Sequence, residues 1–274
     1  MSVVRFTTLL TGLPRSGTTL VCALLNECSD TVALAEPIRF PHGDRQQAVR
    51  DIDQFITSAR EQAINANVAL TRHIGGKVPD NWANVTSSSE LRGSNAERGL
   101  ISLNKPLSPA FNLIVKEPAG FTALSDLLSP RYPLVAMVRH PLAVLAAWQT
   151  VDMPVQRGRM PTAERLSPGL GSLLDSQSDR LSRQVALIGW LLEIYRAFPA
   201  EHILRYEDFV MDPGRWLSRF TPHEYKADRR LVVADPAVRY PGVALAPLAR
   251  ELIRICPIAE AFYPDFEESL ARVI

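Results

Sequence analysis

Short apolar runs alternate with longer segments of helical period along this chain. Residues 3–10 form a β-rich run, and residues 17–27 follow with Leu20, Cys22, Ala23, Leu24 and Leu25 at helical positions. Residues 31–35 make a second apolar strand. Glu36-Pro37 ends it, because proline cannot donate to a ladder and pushes the residue before it out of the helical region. Residues 51–66 carry Ile52, Phe55, Ile56 and Ile64 on one side of an amphipathic helix. Apolar runs at 111–115 and 133–138 end in Lys116-Glu117-Pro118 and Arg139-His140-Pro141. A helix is expected over 142–150, with Pro141 suited to its first turn, and a stronger one over 179–198. A short strand over 202–205 leads into Tyr206, a connection covers 228–240, and a last helix lies near 247–255. Strands alternating with helices predict an α/β fold, a parallel β-sheet flanked by helices, in a single domain over 1–274. Two stretches, about 71–108 and 152–177, lack a period and read as irregular loops beside the site.

The first strand, loop and helix predict the chemistry. Residues 12–19 read Gly-Leu-Pro-Arg-Ser-Gly-Thr-Thr, so an apolar run delivers a glycine-flanked loop onto a helix start. Glycines let the backbone turn and approach a ligand, and the first amides of a helix have no internal partner. The spacing Gly12-x4-Gly17 matches the phosphate loop of nucleotide-binding proteins. Thr18 stands where that loop has its Lys, and the cation is Arg15 inside the loop instead. The missing Lys is the group that reaches the terminal phosphates of a nucleoside triphosphate. A lone Gly-x4-Gly is also compatible with an ordinary strand-to-helix turn.

Composition narrows the partners. The 274 residues are 46% hydrophobic and 22% charged with a formal net charge of +1, so nothing pulls the chain as a whole toward nucleic acid or anionic membrane. Anion recognition must therefore be local. Three cysteines without Cys-x-x-Cys or Cys/His clustering argue against a disulfide framework or a metal site, and Cys22 and Cys28 read as core thiols. The five histidines show no ligand spacing. No apolar run reaches membrane-spanning length, and the start of the chain leads directly into a strand; a soluble, cytoplasmic protein is expected.

Five apolar runs end in Arg15, Glu36, Lys116, Arg139 and Tyr206. In an open parallel sheet, ligands bind outside the carboxyl ends of the strands. One crevice would then gather three cations, one carboxylate and one tyrosine, a site for a multiply anionic nucleotide.

The block Pro14-Arg15-Ser16-Gly17-Thr18-Thr19-Leu20 resembles the 5′-phosphosulfate loop of the sulfotransferases that use 3′-phosphoadenosine-5′-phosphosulfate (PAPS), in the form closest to the tyrosylprotein sulfotransferase branch. That resemblance implies PAPS as co-substrate and 3′,5′-diphosphoadenosine (PAP) as product, with Arg15, Ser16, Gly17, Thr18, Thr19, Arg139 and Tyr206 binding the nucleotide. Val138-Arg139-His140-Pro141 is similar to the family's 3′-phosphate motif, where a Ser follows the Arg by eight residues; here that residue is Ala147. Arg205-Tyr206-Glu207-Asp208 resembles the family's Tyr-Glu-Asp segment, which puts Tyr206 at the adenine end. The closing segment Arg-Lys-Gly-x-x-Gly is absent, and Arg239 is a weak substitute for it. Glu36 stands 21 residues after Arg15, where the tyrosylprotein enzymes have their catalytic Glu, while the position of the alternative His is Pro118. The resemblance thus implies Glu36 as base, with Arg15 and Lys116 as the cations beside it, no metal, and a hydroxyl on a small-molecule, glycan or natural-product acceptor. It also departs from the membrane-anchored members of that branch. A kinase or nucleotide phosphotransferase, and a non-catalytic PAP-binding protein on the same fold, are the competing readings.

Overall fold

The computed structural model describes residues 6–83, 91–225 and 230–274. Five strands form one parallel sheet: β1 (Thr7–Gly12), β2 (Thr31–Ala35), β5 (Asn112–Lys116), β6 (Leu134–Val138) and β7 (Ile203–Arg205). Their order is β2-β5-β1-β6-β7. Chain leaving β1 returns at β2 on one side, and chain leaving β6 returns at β7 on the other. A crevice for ligand opens where two such connections diverge. A separate antiparallel pair, β3 (Val68–His73) and β4 (Glu97–Ser102), stands beside the end of β2, where the Thr71 hydroxyl accepts from the Ala35 amide at 2.9 Å.

Both faces of the parallel sheet are buried, which explains why its strands read as continuous apolar runs. Leu9, Val32, Leu34, Leu113, Val115, Ala136 and Val138 face one core. Leu10, Ala33, Ile114 and Met137, at the alternate positions, face the other. Helices α1 (Thr18–Leu25) and α2 (Arg45–Ala66) cover opposite faces. Short helices α3 (Pro118–Ala123) and α4 (Ser125–Leu128) follow β5, and α5 (Pro141–Trp148) follows β6. Next come α6 (Pro161–Leu166), α7 (Leu170–Asp175) and the long α8 (Arg180–Arg196), whose N-terminus is capped by the Asp179 carboxylate accepting from the Leu181 and Ser182 amides. Helices α9 (Tyr206–Met211), α10 (Pro213–Leu217), α11 (Pro236–Arg239), α12 (Leu245–Leu252), α13 (Cys256–Ala259) and α14 (Phe266–Ala271) complete the chain. None of the described helices is long and apolar enough to cross a membrane.

The structure departs from the sequence reading in several places. Strand β1 runs to Gly12, and the expected start at residues 3–5 lies outside the described residues. Helix α2 starts at Arg45 rather than 51, because the Asp44 carboxylate caps the Gln47 amide at 2.9 Å. The stretch expected as one irregular loop over 71–108 contains the end of β3 and all of β4; residues 84–90 of it lie outside the described residues. Four of the six β4 residues are exposed, Leu100 at 61%, so an apolar face did not mark it. Residues 152–177 hold a 3-10 turn, α6 and α7, each opened by proline or glycine that masked a helical period. The 228–240 connection ends in α11, and its residues 228–229 lie outside the described ones.

Candidate active site

Between β1 and α1 the chain must reverse in the space left by β6. Gly12 permits this: at φ +151° a Cβ there would lie 2.3 Å from the Met137 carbonyl oxygen. Leu13 then donates to that oxygen at 3.0 Å and Ser16 donates to the Leu13 carbonyl at 3.0 Å, closing the turn. The loop is held from outside as well. Trp148 of α5 donates its indole N–H to the Pro14 carbonyl at 2.9 Å, and Arg139 donates to the Arg15 carbonyl at 3.2 Å. Gly17, at φ +100°, leaves room for the Tyr206 ring, whose Cδ2 would be 2.7 Å from a Cβ. The Tyr206 ring in turn lies under the Arg139 guanidinium, 4.5 Å from centroid to Cζ.

Arg15, Glu36, Lys116, Arg139 and Tyr206 all line one cavity of about 600 Å³, together with Gly17, Thr18 and Thr19. The strand-end argument therefore finds its five residues in one place. Ser16 differs: it is fully buried and is not on the cavity wall.

One end of the cavity is strongly cationic. Burial lowers the Arg15 guanidinium to about 10; Tyr240 opposes that shift, and Arg92, Arg139 and Arg239 add to it. Arg15 remains charged at neutral pH, so four guanidiniums converge here. Arg92 is tied down by its own donation to the Thr150 hydroxyl at 2.5 Å, and Arg15 donates to the Asn81 amide oxygen at 3.0 Å. The buried Nε of Arg15 and the buried Nε of Arg139 have no hydrogen-bond partner among the described residues. Convergent like charges lining one cavity call for an anion of more than one charge. Ala147, where the resembled motif has Ser, is a wholly buried core residue of α5.

The other end holds Glu36. Glu36 forms an ion pair with Lys116 through Oε1, and Arg72 of β3 approaches its Oε2 at 3.5 Å. Lys116 also donates to the Thr19 hydroxyl at 3.4 Å, so one ammonium spans from the loop helix to the carboxylate. The Trp82 ring covers both cations, 4.4 Å from Lys116 Nζ and 5.6 Å from Arg72 Cζ. Beyond them Met153, Val155, Met160, Leu231 and Val232 give the cavity an apolar wall. Arg159 stands there too, already paired with Glu164 at 3.0 Å and with Asp175. Arg157 does not line the cavity and pairs with Asp152 at 3.7 Å on the surface.

Sequence reasoning missed Arg72, Arg92, Asn81 and Glu117 as cavity residues. Arg72 and Arg92 sit in the stretch read as loop, where no strand end marked them. Glu117 had a usable signal, since it follows Lys116 at a strand end. The three cysteines are buried, and burial pushes the Cys22 thiol up to about 12, in keeping with a core role.

A family model described as "Sulfotransferase family" matches residues 8–223 of the chain. No curated protein matches it. Among solved structures, the sulfotransferase domain of the Synechococcus PCC 7002 olefin synthase is 19% identical, with 94% of each chain covered and a TM-score of 0.43. The sulfotransferase domain from the curacin biosynthetic pathway is 13% identical over 85% of this chain and 81% of its own, with a TM-score of 0.35. The sulfotransferase STF1 of Mycobacterium tuberculosis H37Rv is 12% identical over 90% and 76%, also with a TM-score of 0.35.

Proposed function

The chain belongs to the sulfotransferase family, and from that premise we propose that it transfers a sulfuryl group from PAPS to a hydroxyl of a small or medium acceptor, with Glu36 as base. One observation carries this reading: the Glu36 carboxylate, flanked by Lys116 and Arg72, shares a cavity with a glycine-flanked loop and four convergent arginines.

The residues divide the work by position. The amides opening α1 and the hydroxyls of Thr18 and Thr19 cradle the 5′-phosphate. Arg139 takes the 3′-phosphate, a task that suits the planar fork of a guanidinium. Arg92 and Arg239 stand in for the hydrogen bond of the Ser that Ala147 replaces and for the cations of the absent closing segment. Tyr206 is the ring that packs beside the nucleotide. PAPS brings a sulfuryl group on a phosphate leaving group. Glu36 takes the acceptor's hydroxyl proton as the new oxygen–sulfur bond forms, and the electron pair of the breaking bond leaves on the 5′-phosphate oxygen. Lys116, placed between Thr19 and Glu36, and Arg15 in the loop neutralise that developing charge. Placing the base at Glu36 follows the tyrosylprotein branch. The apolar wall of Met153, Val155 and Met160 favours an acceptor with an apolar body, such as a natural-product or lipid-like alcohol. We assign the protein to the cytoplasm, as the sequence suggested. For the kinase reading, Thr18 offers no ammonium to a terminal phosphate.

The test is product formation from labelled PAPS across a broad hydroxyl panel. Wild type is expected to yield a sulfated product, and Glu36→Gln none, while its PAP affinity stays within a few-fold. Equal loss of PAP binding and turnover would show that Glu36 does not act on the acceptor side.

A further inference from the structure

One buried acid in the cavity has no place in this scheme. Glu117 follows Lys116 at the end of β5 and is 8% exposed. Its backbone is fully used: the amide donates to the Leu10 carbonyl at 3.0 Å, and the carbonyl accepts from the Phe121 amide at 3.2 Å. Its carboxyl forms no hydrogen bond or ion pair among the described residues, yet the residue lines the cavity. The parallel register of β2 and β5 pairs Ala35 with Lys116, and the Glu36 amide donates to the Lys116 carbonyl at 2.7 Å, so Glu36 and Glu117 are the next pair across the strand ends.

The charged groups facing Glu117 are Glu36 from the end of β2, Lys116 from β5 and Arg72 from β3. Both cations are engaged with Glu36, which leaves none paired to Glu117. Burial, and then the Glu36 charge, raise the Glu117 carboxyl well above its ordinary range, against the smaller pull of Lys116 and Arg72. A buried ionised carboxylate without a partner is costly, whereas a carboxylic acid carries an O–H that needs an acceptor. Lys116 reaches both Thr19 of α1 and Glu36, and Glu117 lines the same cavity, so an anion held between the α1 cradle and Glu36 shares that cavity with the Glu117 carboxyl. A neutral acid can donate to such an anion without repelling it.

Building on the sulfuryl-transfer reading, we propose that Glu117, as a carboxylic acid, donates a hydrogen bond to a sulfuryl oxygen of PAPS. It would be a second acid in the site with a role opposite to that of Glu36: one carboxyl takes a proton, the other keeps its own.

The experiment is equilibrium titration of wild type, Glu117→Gln and Glu117→Leu with PAPS and with PAP, which has no sulfuryl group. Loss of a hydrogen bond to a charged acceptor predicts that Glu117→Leu weakens PAPS about tenfold or more relative to PAP. Glu117→Gln keeps a neutral donor and is expected to hold the PAPS-to-PAP ratio within about threefold of wild type. As pH rises through the raised range of Glu117, the wild-type ratio should fall and the Gln ratio should not. Where Glu117→Leu abolishes PAP binding, so that no ratio can be formed, that pH comparison alone decides. An unchanged ratio in the Leu variant, or an equal pH response in wild type and Gln, overturns the assignment. Failure of wild type to bind PAP overturns the sulfuryl-transfer reading and this assignment with it.

Discussion

At the scale of single residues, Arg15 and Glu36 both hold a left-handed backbone, with φ of +72° and +47°. Non-glycine residues resist that region, at a cost of about 1–3 kcal/mol each, and keep it only where the surroundings over-determine it. The surroundings are named contacts: Trp148 and Arg139 pin the loop carbonyls on either side of Arg15, and the Lys116 carbonyl takes the Glu36 amide. For Glu36 this departs from the extended backbone that Pro37 favours. The result turns one side chain toward the arginine cluster and the other toward Lys116. Arg139 offers the sharpest residue-level prediction. Its guanidinium lines the cavity and stacks on Tyr206. Arg139→Ala should weaken PAP by about 1.5–3 kcal/mol, the range for a bond to a charged group. Adenosine 5′-phosphosulfate, which lacks the 3′-phosphate, should be affected far less. Equal weakening of both in a titration would remove Arg139 from the 3′ end.

At the scale of elements, the strand–loop–helix opening is the most constrained part of the chain. Gly17 has a φ of +100° and lies against the Tyr206 ring, so Gly17→Ala adds both backbone strain and a collision. PAP affinity is expected to fall about tenfold or more while helix content by circular dichroism stays the same, since two strained terms of roughly 1 kcal/mol act on the cradle alone. An unchanged affinity would mean that the loop is not the cradle. The same element was the most legible in sequence, because an apolar run, two glycines and a helical period fix strand, turn and helix independently. The strand ends carrying Glu36, Lys116 and Arg139 were legible for the same reason: buried parallel strands read as apolar runs, and a proline within the next two residues marks where each stops. The β3–β4 hairpin was not. One side of it faces solvent, and its strands carry Arg72, His73, Arg98 and Gly99, which break the alternation. Arg72 reaches Glu36 only through that hairpin, so its part in the site could not be read from spacing. Arg92 was hidden similarly, since what orients it is a bond to Thr150, 58 residues away.

At the scale of the whole molecule, the chain beyond the family match at residue 223 is stitched to the site from behind. Tyr263 donates to one Glu207 carboxylate oxygen at 2.9 Å, the His140 amide donates to the other at 3.0 Å, and the His140 ring contacts the Ser269 hydroxyl at 3.0 Å. Segments before α5, at α9 and before α14 thus meet where β6 and β7 end. Global stability should also carry the signature of Glu117. Its folded-state pKa is raised, so its contribution to stability is full below the ordinary carboxylate range and is lost as pH rises through the raised value. Thermal melts of wild type should fall more steeply with pH above that range than those of Glu117→Gln; parallel curves would mean that Glu117 titrates normally. The central claim concerns the cavity as a whole, that it is built for a nucleotide with phosphates at both ends and not for a triphosphate with magnesium. Calorimetric titration of the wild-type protein with PAP and with ATP–magnesium tests it most directly. The account predicts tight, saturable PAP binding and little or no heat from ATP–magnesium; tight ATP–magnesium binding with weak PAP binding would contradict it.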